Sequence, residues 1–314
     1  MELAYGPVPS RRLGQSLGII NVPPTTCTYA CVYCQLGSTT RPATERQRFV
    51  DPGEIEAAVE DRLADLAPEE SIDHLTFVPD GEPTLDADLG ETIDRLERFD
   101  IDVAVITNGS LLRLPSVRED LAAVDWLSVK VDAADPEVWT QVDRPHGAVD
   151  FEAVREGVLT FAAEFGGTLT TETMLVEGVN DGDAVGPTAR LVGEIDPDTA
   201  YVAVPTRPPD EEWVEPPAEA DVARAYQVFS ESVEDVEYLI GAEGDTFAST
   251  GDPRRDILGV TAVHPMRTDQ IEGLLERDDA DWSLVEDLLA AGELVELEYG
   301  EQTFYMRPIS PDRE

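Results

Sequence analysis

The segment "CTYACVYC" spans residues 27–34 and contains all three cysteines of the 314-residue chain, Cys27, Cys31 and Cys34. An odd number of cysteines cannot pair completely in disulfides, and secreted disulfide-rich domains are much shorter than this chain. Three thiols this close in sequence indicate a metal site or a redox site. Chance packing of three buried cysteines is the alternative.

The spacing CxxxCxxC places three thiolates on one loop, where they can converge on a single inorganic cluster. A structural zinc ion usually takes four protein ligands. The chain has no fourth cysteine, and its three histidines are all distant from this loop in sequence. Three thiolates leave one coordination position open, as in reactive metal centres. The spacing therefore predicts Cys27, Cys31 and Cys34 as metal ligands.

The chain is strongly acidic: 66 Asp and Glu against 22 Lys and Arg give a formal net charge of −44. The acidic residues are spread through segments with apolar periodicity, which indicates a folded surface and not a disordered tail. Salt at 1 M screens such charges over about 3 Å, so the composition predicts a halophilic, archaeon-like source. No segment resembles a signal peptide or a membrane span, and we expect a cytoplasmic protein without membrane contact.

Short β-rich runs alternate with amphipathic helical windows along most of the chain. Six such runs are predicted as strands, at residues 16–22, 73–79, 102–107, 126–131, 168–176 and 200–205. This alternation indicates parallel βαβ units, whose functional sites lie where the strands end.

The last quarter of the chain has a different pattern. The Gly-rich segment 241–253 predicts a linker, and two helical windows and a hairpin with its turn near Gly300 follow it. Two helices and a hairpin are typical of a small winged-helix-like domain. We predict domains at residues 1–242 and 254–314, joined by a linker at 243–253.

The pattern CxxxCx-aromatic-C, in which Tyr33 is the aromatic residue, follows the first predicted strand and resembles the signature of the radical S-adenosylmethionine enzymes. The resemblance covers about residues 1–240 and implies an α/β fold with a partial (β/α)6 barrel. It implies that the three cysteines bind a 4Fe–4S cluster, with S-adenosylmethionine on the remaining iron. In these enzymes an electron from the cluster cleaves S-adenosylmethionine into methionine and a 5′-deoxyadenosyl radical, which abstracts hydrogen from the substrate. A ferredoxin-like or flavodoxin-like protein is the expected electron donor.

The segment "DGEPTL" (80–85) follows the second predicted strand and is similar to the GGE-type motif of these enzymes. The resemblance implies that the backbone of Gly81, Glu82 and Pro83 binds the amine of S-adenosylmethionine, with Asp80 in place of the usual first glycine. Gly81 permits close backbone approach to a ligand. Tyr33 is a further candidate cofactor contact.

The third and fourth strands end in further polar candidates. Asn108 follows the third strand and either contacts the cofactor or forms an Asn-Gly turn. Ser128, Lys130 and Asp132 share one face of the fourth strand by its period of two. The resemblance implies that Ser128 or Asp132 contacts the ribose. Lys130, the only lysine of the chain, is the candidate catalytic residue, and a salt bridge to Glu82 or Glu172 is the alternative.

Three arginines lie near the ends of predicted strands. Arg11 and Arg12 precede the first predicted strand, and we expect them on the opposite side of it from the cysteine loop, in local ion pairs. Arg207 follows the sixth predicted strand and is expected to overlook the barrel mouth.

The motifs together resemble a radical S-adenosylmethionine group related to the wyosine-forming tRNA enzymes. Wyosine synthases of archaea carry further cysteines for a second cluster, which this chain lacks. We therefore predict a single-cluster enzyme with an unidentified substrate. Modification of tRNA or another RNA is one alternative, and an iron–sulfur sensor that binds DNA through the winged helix is another.

Overall fold

The computed structural model describes residues 3–66, 70–78, 81–240, 247, 250–262 and 264–308. Its strands, numbered along the chain, are β1 (Ala4–Ser10), β2 (Gly14–Ile19), β3 (Thr26–Cys27), β4 (Arg41–Pro42), β5 (His74–Phe77), β6 (Asp102–Thr107), β7 (Trp126–Lys130), β8 (Thr168–Met174), β9 (Thr199–Ala203), β10 (Val236–Leu239), β11 (Met266–Arg267), β12 (Val295–Tyr299) and β13 (Gln302–Met306). Its α-helices are α1 (Pro52–Asp65), α2 (Leu89–Leu96), α3 (Pro115–Leu121), α4 (Pro136–Val142), α5 (Phe151–Glu164), α6 (Val185–Ile195), α7 (Glu219–Ser230), α8 (Pro253–Val260), α9 (Thr268–Arg277) and α10 (Ser283–Ala290). No helix in these ranges is both long and apolar enough to cross a membrane.

The main sheet has eight strands in the order β1-β2-β5-β6-β7-β8-β9-β10. The six predicted strands correspond to β2 and β5–β9, and they pair in parallel with helices between them. The α/β fold with a partial barrel is therefore confirmed.

Two strands of this sheet were missed. Strand β10 extends the parallel set to seven strands, but glutamate and exposed positions interrupt its apolar pattern. Strand β1 pairs antiparallel with β2 at the edge and contains Pro7 and Pro9. Proline cannot donate to a ladder, so it argues against a central strand and is tolerated at an edge.

The helices cover one face of the sheet with their apolar stripes. In α1, the Asp51 side chain accepts a hydrogen bond from Gly53 N at 2.8 Å and caps the helix, and Ile55 and Val59 are fully buried. They join one large core with strand residues such as Phe77. Burying each such side chain contributes about 1.5–3 kcal/mol. This packing leaves the opposite, concave face of the sheet to form the site.

The C-terminal elements form a small unit in the order α8, β11, α9, α10, β12, β13, with a sheet of order β11-β13-β12. The hairpin turns at Gly300, whose φ of 59° suits glycine. Ile257, Met266 and Leu288 lie in a separate core cluster. The two predicted helices correspond to α9 and α10 and the predicted hairpin to β12 and β13, whereas α8 and β11 were not predicted. Its boundaries at residues 242 and 254 stay predictions, and most of the predicted linker lies outside the described residues.

A buried ion pair fastens this unit to the barrel. Helix α8 packs against β1, and Arg62 of α1 donates to Asp256 of α8 at 2.7 Å. The two side chains are 2% and 1% exposed. Arg62 Nε also donates to Gly6 O at 2.6 Å, and Asp256 accepts a hydrogen bond from Thr250 N at 2.8 Å.

Replacing Asp256 with alanine should lower the free energy of unfolding by about 3–5 kcal/mol, because it leaves the Arg62 guanidinium buried without its counter-charge. Urea titration measures this change. The matched control is Glu60→Ala, which removes an exposed partner of Arg98 and should have little effect. Equal losses in the two variants would contradict the assignment.

Candidate active site

The cysteine loop starts in β3 and is held against the end of α4. Ala30 N donates to Asp143 O at 3.0 Å, and Val32 N donates to Val142 O at 2.9 Å. Cys34 N donates to Cys31 O at 3.0 Å, which closes a turn within the loop. These backbone contacts fix an irregular segment whose polar groups need partners when they are buried.

None of the three cysteines forms a disulfide, and all three are partly buried and close enough to influence one another. Burial, followed by the charge of Glu82, raises the pKa of the Cys27 thiol to about 12. Burial, followed by the charge of Asp143, raises the pKa of Cys31, and Cys27 and Cys34 add to this effect. The Cys27 and Cys31 thiols are therefore protonated at neutral pH until a bound metal cation stabilises their thiolates.

The donor set fits an iron–sulfur cluster. Thiolates are the protein ligands of such clusters, and three cysteines without disulfides lie on one anchored loop. Among the described residues, no three His, Cys, Asp or Glu side chains surround a point that one metal ion could occupy. A single zinc ion needs its sulfurs about 2.3 Å from one centre, whereas the thiolates of a cluster bind separate irons. The ligand roles of the three cysteines stay predictions.

Gly81 lies against the cysteine loop. A Cβ at this position would lie 2.0 Å from Thr26 O, and Glu82 N donates to the same oxygen at 3.0 Å. Glycine is needed here because the loop after β5 contacts the backbone of β3. The sequence predicted instead that the glycine would allow a ligand to approach the backbone. Pro83 starts a short 3-10 turn. Asp80 lies outside the described residues.

The Glu82 side chain has a structural role that the motif did not predict. Its carboxylate is 1% exposed and accepts hydrogen bonds from Thr84 N at 3.1 Å, Thr107 Oγ1 at 2.6 Å and Asn108 N at 2.8 Å. Burial nevertheless raises its pKa. Glu82 thus ties the loop after β5 to the end of β6, and the cofactor contact predicted for residues 81–83 remains one of their backbone.

Asn108 both forms a turn and contacts the cysteine loop. Gly109 has a φ of 74°, as expected for an Asn-Gly turn. Asn108 Nδ2 donates to Thr28 Oγ1 at 2.7 Å and to Cys27 Sγ at 3.5 Å, and its Oδ1 accepts from Ser110 N at 2.9 Å. The side chain therefore positions Cys27.

Lys130 forms the salt bridge that was the alternative to a catalytic role. Its Nζ lies 2.8 Å from Glu172 Oε1 and 4.7 Å from the ring centre of Tyr33. Burial opposes the charge of Lys130, but Asp132 and Glu172 outweigh it and raise its pKa. Lys130 is therefore a cation at neutral pH. It can bind an anionic group, and its role as a catalytic residue stays a prediction.

Arg12 precedes β2, at the opposite end of that strand from the cysteine loop, and its side chain lines the concave face of the sheet. It pairs with Glu172, and its guanidinium lies 5.9 Å from the Trp126 ring centre and 5.8 Å from that of Tyr201. Leu13 packs in the same aromatic cluster. The segment after β1 thus folds across the concave face of the sheet.

Tyr33 and Asp132 connect this charged group to the cysteines. The Tyr33 hydroxyl donates to Asp132, whose Oδ1 accepts from Met174 N at 2.6 Å. The Cys31 thiol donates to Asp143 Oδ1 at 3.3 Å. Burial, followed by the charge of Asp132, raises the pKa of Asp143. Sequence reasoning missed Asp143, because it follows a helix without any motif.

Two cavities lie beside these residues. One of about 310 Å³ is lined by Tyr33, Lys130 and residues of the concave face, and Arg207 overlooks it as predicted. A smaller one of about 40 Å³ is lined by Asn108, Lys130, Asp132 and others. Ser128 lines neither, and its buried hydroxyl has no hydrogen-bond partner among the described residues. Its predicted cofactor contact therefore gains no support from the cavities.

The cysteine loop and strands β5–β8 fall within residues 21–186, which match the family model described as the Radical SAM superfamily. This match covers more than half of the chain. The chain belongs to the radical SAM superfamily. It is therefore a radical SAM enzyme, and the superfamily implies S-adenosylmethionine and an iron–sulfur cluster as cofactors.

The relatives of this radical SAM enzyme include a protein of about the same length. A UPF0026 protein of Methanocaldococcus jannaschii is 38% identical over 312 residues, covering 98% of this chain and 97% of that protein. A UPF0026 protein of Synechocystis sp. is 36% identical over 206 residues, covering 65% of this chain and 76% of that protein. A structure of TYW1 with a lysine-pyruvate adduct bound has a TM-score of 0.51 at 18% identity, covering 74% of this chain and 78% of that one. This last likeness shows the fold alone.

Acid should weaken the fold through Glu172. Burial disfavours its carboxylate, but Lys130 and Arg12 outweigh burial and lower its pKa to about 2. A lowered pKa contributes stability above the unfolded-state pKa of about 4.3, and that stability is lost as the pH falls towards 2. Glu172→Gln should be less stable than wild type at pH 7 and should lose less stability between pH 4.5 and 3.

Urea titrations at pH 7, 4.5 and 3 measure both effects. The matched control is Glu152→Gln, whose exposed carboxylate pairs with Arg155 on the surface of α5 and should follow the wild-type pH dependence. An unchanged pH dependence in Glu172→Gln would refute the role of this carboxylate.

Proposed function

We propose that this radical SAM enzyme binds one 4Fe–4S cluster through Cys27, Cys31 and Cys34 and acts on a substrate that is not yet identified. When bound, the cluster would supply the electron that cleaves S-adenosylmethionine into methionine and a 5′-deoxyadenosyl radical, which abstracts hydrogen from the substrate. The observation that carries this proposal is the placement of three cysteines, none of them in a disulfide, on one anchored loop beside the concave face of the sheet. A ferredoxin-like or flavodoxin-like protein is the proposed electron donor.

The chain's own residues bind and orient the reactants in this proposal. Asn108 and Glu82 hold Cys27 against the ends of β5 and β6. Asp132 and Tyr33 line the approach from the cysteine loop to Lys130. Lys130, which stays positively charged at neutral pH, would attract the carboxylate of S-adenosylmethionine or of the substrate.

Water exclusion is the other contribution of the protein. Tyr29 and Val32 of the cysteine loop are 4% and 0% exposed, and the Tyr29 ring packs edge-on against Trp139. This apolar packing keeps bulk water away from the loop, where it would quench a reactive intermediate.

The C-terminal unit does not favour the nucleic-acid alternatives. Helix α10 occupies the position of a recognition helix in the helix-turn-helix arrangement, but it carries Glu286 and Asp287 and no basic residue. The hairpin carries Glu296, Glu298 and Glu301. These charges repel a phosphate backbone, so neither a DNA-binding sensor nor an RNA-modifying enzyme is supported by this surface.

Anaerobic reconstitution with iron and sulfide, followed by chemical reduction in the presence of S-adenosylmethionine, tests the proposed function. Methionine and 5′-deoxyadenosine should form in equal amounts. Iron and sulfide analysis should give about four of each per chain. An intact cluster that yields neither product would refute the proposal.

Cys31→Ala should lose the complete cluster and the formation of 5′-deoxyadenosine, because it removes one of three thiolate ligands. Ser38→Ala is the matched control, since it changes an exposed side chain four residues after Cys34 that contacts Asp210. That variant should keep the cluster. A full cluster in Cys31→Ala would refute the ligand assignment.

A further inference from the structure

The cavity of about 310 Å³ is lined by more basic than acidic residues, the opposite of the chain as a whole. Acidic residues outnumber basic ones by 66 to 22 in the sequence. The described residues that line the cavity of about 310 Å³ include four cations, Arg11, Arg12, Lys130 and Arg207, and one carboxylate, Glu172. A surface that is acidic almost everywhere therefore encloses a basic interior, which is the electrostatic pattern of a site for an anion.

The cations lie at two depths. Arg12 and Lys130 are each 15% exposed and share the Glu172 carboxylate, and Lys130 is also 4.0 Å from Asp132. These inner charges are balanced. Arg11 lies at the exposed rim, where its Nη1 donates to the carbonyl oxygen of Ile240 at 2.8 Å, so its positive charge meets a neutral acceptor there.

The barrel and the C-terminal unit build the opposite side of the rim together. Arg207 Nη1 donates to Gln35 Oε1 at 2.6 Å, and Nη2 donates to His264 Nε2 at 3.1 Å. Gln35 directly follows the cysteine loop, and His264 belongs to the C-terminal unit. A second cavity of about 340 Å³ shares Thr206 and Arg207 with the first and continues towards the hairpin.

We propose that the cavity of about 310 Å³ binds a small substrate through an anionic group, a carboxylate or a phosphate, held by Arg11 and Arg207. The inference rests on the proposed function, because it names the class of substrate for that site. Guanidinium groups bind both kinds of anion through paired N–H donors. A volume of about 310 Å³ is at the lower end of the range for small-molecule sites. The C-terminal unit contributes through His264, which orients Arg207.

Titration of the reconstituted full chain with simple anions tests the proposal. Succinate and inorganic phosphate are added separately at constant ionic strength, with saturating S-adenosylmethionine so that its own carboxylate is already bound. Succinamide, the neutral analogue of succinate, is the ligand control. At least one anion should bind saturably by calorimetry, and succinamide should not. The comparison of succinate with phosphate distinguishes the two anionic groups.

Two variants and one control locate the binding. Arg11→Gln and Arg207→Gln should each weaken binding of the anion at least tenfold, since each removes a charged hydrogen-bond donor. Arg98→Gln changes an exposed arginine that pairs with Glu56 on the far surface and should bind as wild type does. Equal binding of succinamide, no binding of either anion, or unchanged affinity in both cavity variants would overturn the proposal.

Production of 5′-deoxyadenosine is measured in the same samples. If the wild type forms 5′-deoxyadenosine but binds neither anion, the cavity inference fails and the proposed function stands. If the wild type binds an anion at Arg11 and Arg207 but forms no 5′-deoxyadenosine, the proposed function fails.

Discussion

A charged group buried inside a parallel sheet needs a partner, because its removal from water costs several kcal/mol. Glu172 meets this requirement for two cations at once. Its carboxylate forms ion pairs with Lys130 of the neighbouring strand β7 and with Arg12 of the segment after β1. Three separate parts of the chain are therefore fixed around one carboxylate. The shape of the cavity of about 310 Å³ depends on these two ion pairs, because all three residues line it.

The cysteine loop depends on a second set of buried polar contacts. Glu82 joins the ends of β5 and β6, and Asn108 extends this connection to Thr28 and Cys27. Because parallel strands all end at the same edge of a sheet, residues far apart in sequence can support one loop there. The thiols are thus positioned by the barrel itself and not by the loop sequence alone. This explains how a loop of irregular structure can hold its thiols in fixed positions.

Local periodicity was sufficient to predict much of the barrel. The period of two placed Lys130 on a polar strand face, and the alternation of strands and helices predicted six of the eight strands in the main sheet. Strand β10 escaped detection because its exposed glutamate breaks the apolar pattern. The position of Arg12 and the contact of Asp143 with Cys31 depend on how distant segments fold together. Spacing along the chain carries no signal for such contacts.

Gly81 illustrates the same limit at a position where the motif was recognised. The sequence identified a glycine that must allow a close approach, but the partner in the structure is Thr26 of the chain itself. A motif specifies the residue type that a position needs, and the fold determines what that residue contacts. The backbone of residues 81–83 still lies beside the cysteine loop, as the motif requires.

The acidic surface and the basic cavity act on an anion over different distances. A net charge of −44 repels anions at long range in dilute solution. Salt at 1 M reduces the range of that repulsion to about 3 Å, whereas hydrogen-bonded contacts inside a cavity are screened much less. High ionic strength would therefore remove the barrier to entry and keep most of the binding within the cavity. The acidic surface and the anionic substrate class are thus physically compatible.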